Sequence, residues 1–588
     1  MRRLTLPLAV AAATLLGGCE AWQEFVDTQP LSPDFQANRS TPASAVGVER
    51  MFETTQNWSD DVRAGFWHLD QGSLAIPYDL ARAVEVANGE ALFLSHGNVA
   101  RYRYVPQNAG GLNPDGLPLG FTKSKPGFDG QEYLGMTCSA CHSTVMTYEG
   151  TGLLIDGAPT MGDFQGFWYA YTDALKANMD GEKFDRLAGR LLGEAPSAAD
   201  TRALKRRLGA AHKRMATRLK LNQTDVAYGY GRVDAIGHIY NAVASANLGI
   251  PRNAAPPNAP VSYPFLWGTH QSNVVQWNGF APNAPLDPNI RIAGPLIRNF
   301  GEVLGVFGEI DLRKGSRNRA ETYPNSVRIE NLLTVEEWLE RLAPPAWPED
   351  ILGDIDPDLA VRGAGVYRDR QLGNCAGCHE VARDPFACYN AVMVPLKAVG
   401  TDPGQAENSL REARTGPLAG RYAGLAPPLG EDRLPRKAPV LDILKHEIVR
   451  AAMHDVKRRK LRSLRVLVSG IRQERDEEKC AVTPTGVGDL RSYKARPLNG
   501  IWATAPYLHN GSVPSLAALL TAEAERPETF TLGGWEYDPV DVGYAPYEGP
   551  NAFTFDTRLE GNSNQGHTWG TDLSPENKAA LIEYLKTL

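Results

Sequence analysis

The chain has 588 residues, including 57 glycines and 42 prolines, and a formal charge of -7. That length allows several hydrophobic cores. Glycine and proline together make up about a sixth of the residues against roughly an eighth on average, which points to short elements joined by long ordered loops. The mild acidic balance gives no electrostatic case for a nucleic-acid partner.

The first segment, Met1-Arg2-Arg3 and an apolar run from Leu4 to Leu16, has the charge and length of an export signal, not of a membrane span. A signal peptide is expected over 1–18. Leu16-Gly17-Gly18-Cys19 resembles a bacterial lipobox, which implies lipidation of Cys19, and Glu20 after it leans toward the outer membrane. A plain signal with an incidental cysteine is the alternative. On either reading the protein is exported. With the lipid it is anchored in the bacterial cell envelope, facing the periplasm, with no other membrane contact. Residues 19–45 are polar and aperiodic and read as a tether.

A helix is expected over Tyr78–Leu94, with Leu80, Val84, Ala87, Ala91 and Leu94 along one side. The Gly- and Pro-rich stretch from Asn113 to Phe121 is loop chemistry. It leads to Cys138-Ser139-Ala140-Cys141-His142, and the pattern recurs at Cys375-Ala376-Gly377-Cys378-His379. Two thiols at this spacing reach the two vinyl groups of one porphyrin, and the following imidazole offers a nitrogen to its iron. A zinc site would place its two cysteine pairs close together and would need no histidine after each. A thioredoxin-like pair gives the histidine no role. The chain is therefore read as carrying two covalently bound haem c groups. Cys138, Cys141, Cys375 and Cys378 are the tethers, and His142 and His379 the proximal ligands.

Between the two motifs, Thr201–Asn222 reads as a basic amphipathic helix. It could meet lipid headgroups or an acidic partner, but a solvated face is the commoner role of such a stripe, and Lys457–Arg475 is read the same way. Pro344–Pro348 breaks the helical pattern and separates an N-terminal haem domain, 46–345, from a C-terminal cytochrome c domain, 355–588. Helices opening at Asp356-Pro357 and Ser574-Pro575 flank the second motif in sequence and are expected to cross. Cys388 and Cys480 remain as a pair in an oxidising compartment, so a disulfide is expected, with separate buried thiols as the alternative. The fold class expected is mainly α, with long loop insertions.

The stretch Arg496 to Val513, with Thr504-Ala505-Pro506-Tyr507-Leu508-His509-Asn510-Gly511-Ser512 at its centre, resembles the C-terminal haem domain of the bacterial di-haem cytochrome c peroxidase superfamily. The blocks 113–121, 154–158, 264–267 and 561–567 look more like its larger branch, which includes rubber oxygenases and fatty-acid-oxidising relatives. The resemblance implies that the C-terminal haem relays electrons while peroxide or dioxygen reacts at the N-terminal one, with a small redox protein as possible electron donor. Relay haems of the superfamily often take a methionine as second ligand, and this chain has none after Met453. His567 is the first choice for that position, by resemblance to the bis-histidine arrangement of the oxygenase branch. His509 is the second, and rather lies over a propionate or between the haems, a region to which Arg496 also belongs.

For the first haem, Met146 follows His142 too closely to cross to the other face, and Met161 is read as core. An open iron position is expected there. Candidates for its surroundings lie in Tyr263–Trp267, Trp267 above all, and in Trp277–Phe280, with His270 between the two segments, together with Glu302. An aromatic dry pocket suits dioxygen beside an apolar substrate, whereas peroxide cleavage needs a positioned acid, amide or imidazole. The reading is a di-haem peroxidase-like oxidoreductase. An oxygenase acting on an unsaturated lipid or polyisoprenoid is the runner-up, and a non-catalytic electron carrier the third.

Overall fold

The computed structural model describes residues 35–283, 293–315, 322–379, 391–423, 433–458 and 489–588. The expected signal segment, Cys19, most of the tether, and Cys388 and Cys480 lie outside the described residues.

The expectation of a mainly α fold is overturned: 39% of the structure is helical and 16% is strand, spread over many small sheets. The reason is local. Ser143–Tyr148 is rich in β-branched and aromatic residues, and it pairs with Thr151–Asp156 on one side of the first motif, while the apolar Tyr133–Met136 enters a second sheet on the other. Ser143–Tyr148 runs antiparallel to Thr151–Asp156, which lies parallel to Arg50–Thr54, which pairs in turn with Phe35–Ala37. On the other side, Tyr133–Met136 is the middle strand of a three-stranded sheet with Ile76–Pro77 and Phe121–Ser124. The first motif is thus the link between two sheets, not a turn between two helices.

The second motif has the surroundings expected from sequence. Pro357–Arg368 and Pro575–Lys586 pack as a crossing pair, each with proline in its first turn and capped by Asp356 or Ser574. They touch at Gly363, where a Cβ would come within 1.9 Å of the Ala580 carbonyl oxygen. The basic helix is also found, over Ala198–Leu221. Much of its charge is tied to the protein: Arg207 pairs with Asp79 and Arg214 with Glu309, while Arg218 donates to the Leu304 carbonyl.

The expected helix Tyr78–Leu94 stops at Ala83. Tertiary bonds override its periodicity. The Asn178 amide pairs with both the N–H and the C=O of Glu85, whose buried carboxylate is held by Arg186 and Arg190 at 2.8 Å each. The largest hydrophobic core runs from Val46 to Leu585 and unites residues around both motifs, Met146, Met161, Trp267 and Tyr367 among them.

Candidate functional site

The first motif is held from behind. Gly120, at a φ of +85°, passes so close to Ala140 that a Cβ would lie 2.2 Å from its backbone. Next to it, Asp156 accepts from Trp67 Nε1 at 2.7 Å and Ser143 Oγ at 3.0 Å and pairs with the buried Arg63 at 2.9 Å. Gly157, the following residue, donates its N–H to the His142 carbonyl. His142 donates Nδ1–H to the Pro264 carbonyl at 2.8 Å, which leaves Nε2 as the lone-pair nitrogen. Burial holds this imidazole neutral, its pKa lowered to about 4. The neutral form is the one that ligates a metal.

The second motif repeats the device: His379 donates Nδ1–H to the Arg496 carbonyl at 2.7 Å. Opposite it stands His567, with ring centres 6.1 Å apart. Two imidazoles sharing one metal need two bonds of about 2 Å plus about 1 Å from each nitrogen to its ring centre, or ~6 Å in all. The loop bearing His567 is built for its place. Arg526 is 4% exposed and donates to the carbonyls of Asn564, Gly566 and His567 at 2.6, 2.8 and 3.1 Å, and the His567 N–H reaches the Val399 carbonyl. His567 itself takes a φ of +49°, rare for a side chain of this size.

Between this pair lies a cavity of about 220 Å³, walled by Cys375, Cys378, Leu508, Leu520, Leu581 and Leu585 among others. Its largely apolar lining, two thiols on one rim and two facing imidazoles fit a thioether-linked porphyrin. The His567 Nδ1 is buried without a hydrogen-bond partner among the described residues.

All eleven histidines of the chain fall within the described residues. Among them none faces His142 as His567 faces His379; the ring contact of His142 is with Tyr263, at 6.1 Å. Met161 lies in the core against Gly231.

The remaining sequence candidates are placed as follows. Trp267 is buried, stacked on Phe265 at 4.8 Å, and gives its Nε1–H to the Asn499 carbonyl. His270 sits on the short turn Thr269–Gln271. His509 stacks on Tyr493 at 4.1 Å and lines the cavity of the second motif. Arg496 lies 3.6 Å over the face of Phe265 and donates to its carbonyl, so one residue contacts the segment that accepts from His142 while its own carbonyl accepts from His379. Glu302 accepts from Gln276 at 2.5 Å, and burial raises its carboxyl to about 7 against the lowering by Arg298.

Three groups escaped sequence reasoning: the Pro264 carbonyl, the Gln276 partner of Glu302, and the Arg526 clamp. No spacing announces a backbone acceptor. Arg526 had only its isolation in a polar loop to mark it.

Residues 492–531 match the family described as RoxA-like, cytochrome c-like. With the second motif in the same C-terminal part of the chain, this defines a haem oxidoreductase with a cytochrome c-like C-terminal domain. The chain belongs to the family of a Sinorhizobium fredii protein (strain NBRC 101917 / NGR234) named uncharacterized protein y4iJ, being 32% identical to it over 603 residues, 92% of this chain and 94% of that relative. Uncharacterized protein y4iM of the same organism is 26% identical over 371 residues, 59% of this chain and 69% of its own length.

Proposed function

We propose that this protein is an exported di-haem oxidoreductase in which an oxidant, peroxide or dioxygen, reacts at the His142 site while the His379–His567 site relays electrons. The observation that carries the reading is the inequality of the two proximal histidines: one faces a second imidazole at 6.1 Å, the other faces none. When bound, haem c supplies redox-active iron, saturated where two imidazoles meet and open where one stands alone.

The protein's own groups have separable tasks. The Pro264 and Arg496 carbonyls fix the tautomers of His142 and His379. Glu302, with a carboxyl near neutrality and Gln276 to orient it, is suited to hold and return a proton at its Oε atoms. A peroxidase is the first reading for that reason. The second reading, an oxygenase acting on an unsaturated lipid or polyisoprenoid, is favoured by the RoxA-like match and by the aromatic run Tyr263, Phe265, Trp267 beside His142. Lipid attachment at Cys19 and a small redox protein as donor belong to the same proposal.

The test supplies the holoprotein with peroxide and reduced cytochrome c, and separately with air and an unsaturated lipid, and asks which is consumed. His142→Ala should abolish either turnover and leave the low-spin signal of the other haem intact. Turnover persisting in that variant, or two ligand-blind low-spin haems in the unaltered protein, refutes the proposal.

A further inference from the structure

The cavity at the second motif is mostly apolar, with a few polar groups on its wall. On its wall stands Lys494, in the short strand Ser492–Ala495, which pairs with Val392–Pro395. Its Nζ donates to the Val274 carbonyl at 2.9 Å, and no ion pair joins it to a carboxylate of the described residues. None of the residues lining the cavity is an aspartate or glutamate, while two, Lys494 and Arg496, carry basic side chains. Two further groups of the wall, Ser262 Oγ and Thr401 Oγ1, are buried with no hydrogen-bond partner among the described residues. A lysine half-buried against this wall, its ammonium on a backbone carbonyl, is costly. Burial, with Arg496 and Arg298 nearby, drives its pKa far down, and one carbonyl dipole does not offset the loss of water around an ammonium.

An anion seated in the cavity would resolve the imbalance. We propose that Lys494 is a positioning residue for the haem of the second motif: its ammonium pairs with a carboxylate side chain of the porphyrin, Ser262 and Thr401 donate to the same anionic edge, and the fixed positive charge raises the reduction potential of that haem. The inference rests on the reading that a haem occupies this cavity.

Lys494→Met and Lys494→Arg are compared with the unaltered holoprotein by spectroelectrochemical titration, following the low-spin haem. Methionine keeps the length of the side chain and removes the charge. It should shift the reduced-to-oxidised ratio at fixed potential about tenfold toward the oxidised form, equal to about 59 mV for one electron. Arginine should hold the potential close to that of the unaltered protein. If Lys494→Met does not accumulate, Lys494→Gln carries the same expectation. An unchanged potential in the neutral variant, or an equal shift with methionine and arginine, overturns the pairing. Haem stoichiometry, from the absorbance of the alkaline pyridine complex, separates the two levels. A haem count that is unchanged when Cys375 and Cys378 are both replaced by serine would refute occupancy of the cavity, whereas loss of one haem in that variant with an indifferent potential in Lys494→Met refutes Lys494 alone.

Discussion

Glu302 gives the sharpest test of the electrostatics beside the first motif. Its carboxyl is half-buried, and desolvation moves its pKa from 4.5 to about 7 despite Arg298 and the hydrogen bond from Gln276. The folded state therefore holds a proton that the unfolded chain releases above pH 4.5. Stability contributed by the protonated form is complete below that value and is lost as pH rises through 7. A shift of this size corresponds to about 3 kcal/mol, at 1.36 kcal/mol for each pH unit. Glu302→Gln keeps the shape and both hydrogen-bonding ends and removes the ionisation. Guanidinium unfolding of both proteins, at pH 4.5 and at pH 8.5, should give nearly equal free energies at the lower pH. At the higher pH the glutamine variant should be more stable by about 3 kcal/mol. A difference that is the same at both values would mean that Glu302 is charged throughout, and the proton-holding role proposed for it would fall with that result.

Three further outcomes follow from packing and pairing. Arg526→Met removes three charge-assisted bonds to the loop of His567, so a high-spin fraction should appear in the haem spectrum of the second site, most clearly on warming. Gly363→Ala sets a methyl group 1.9 Å from the Ala580 carbonyl oxygen, which forces the crossing helices apart at a cost of about 1–3 kcal/mol in thermal or chemical unfolding. Arg63→Met leaves Glu53 and Asp156 facing each other with no cation between them. Loss of one member of such a buried set costs about 3–5 kcal/mol, and protonation of the two acids should recover part of it at low pH.

How far the sequence disclosed this site depends on which half is considered. Around Cys375–His379, capped helices with proline in the first turn were visible as such, because a cap and an apolar stripe are local. His567 was reached through a resemblance, and the structure sets it opposite His379. Around Cys138–His142 the expectation of a mainly α fold with loop insertions left no place for the strands that occur. Tyr133–Met136 and Thr151–Asp156 are buried along their whole length, so they show a short apolar run with no alternation to separate strand from helix. Tyr78–Leu94 failed for the opposite reason: its period was clear, but the bonds of Asn178, Arg186 and Arg190 to Glu85 come from about a hundred residues away.

The two motifs also differ in what covers them, and this bears on how one chain could hold both of the proposed tasks. Ala376 and Gly377 are exposed, and Leu372 beside them is 45% exposed, so the second motif lies at the surface, within reach of another molecule. Ser139 and Ala140 are buried beneath Trp67 and Gly120, so the first motif has no such edge. A buried centre that reacts with an oxidant needs electrons delivered through protein. The covalent and hydrogen-bonded route here is short: from His379 to the Arg496 carbonyl, from the Arg496 guanidinium to the Phe265 carbonyl, and along one peptide to Pro264 and His142. Under the proposed function, the same arginine that stacks on Phe265 keeps the two proximal histidines in register. An error in its place would therefore disturb both sites at once, whereas loss of Arg526 would disturb only the second.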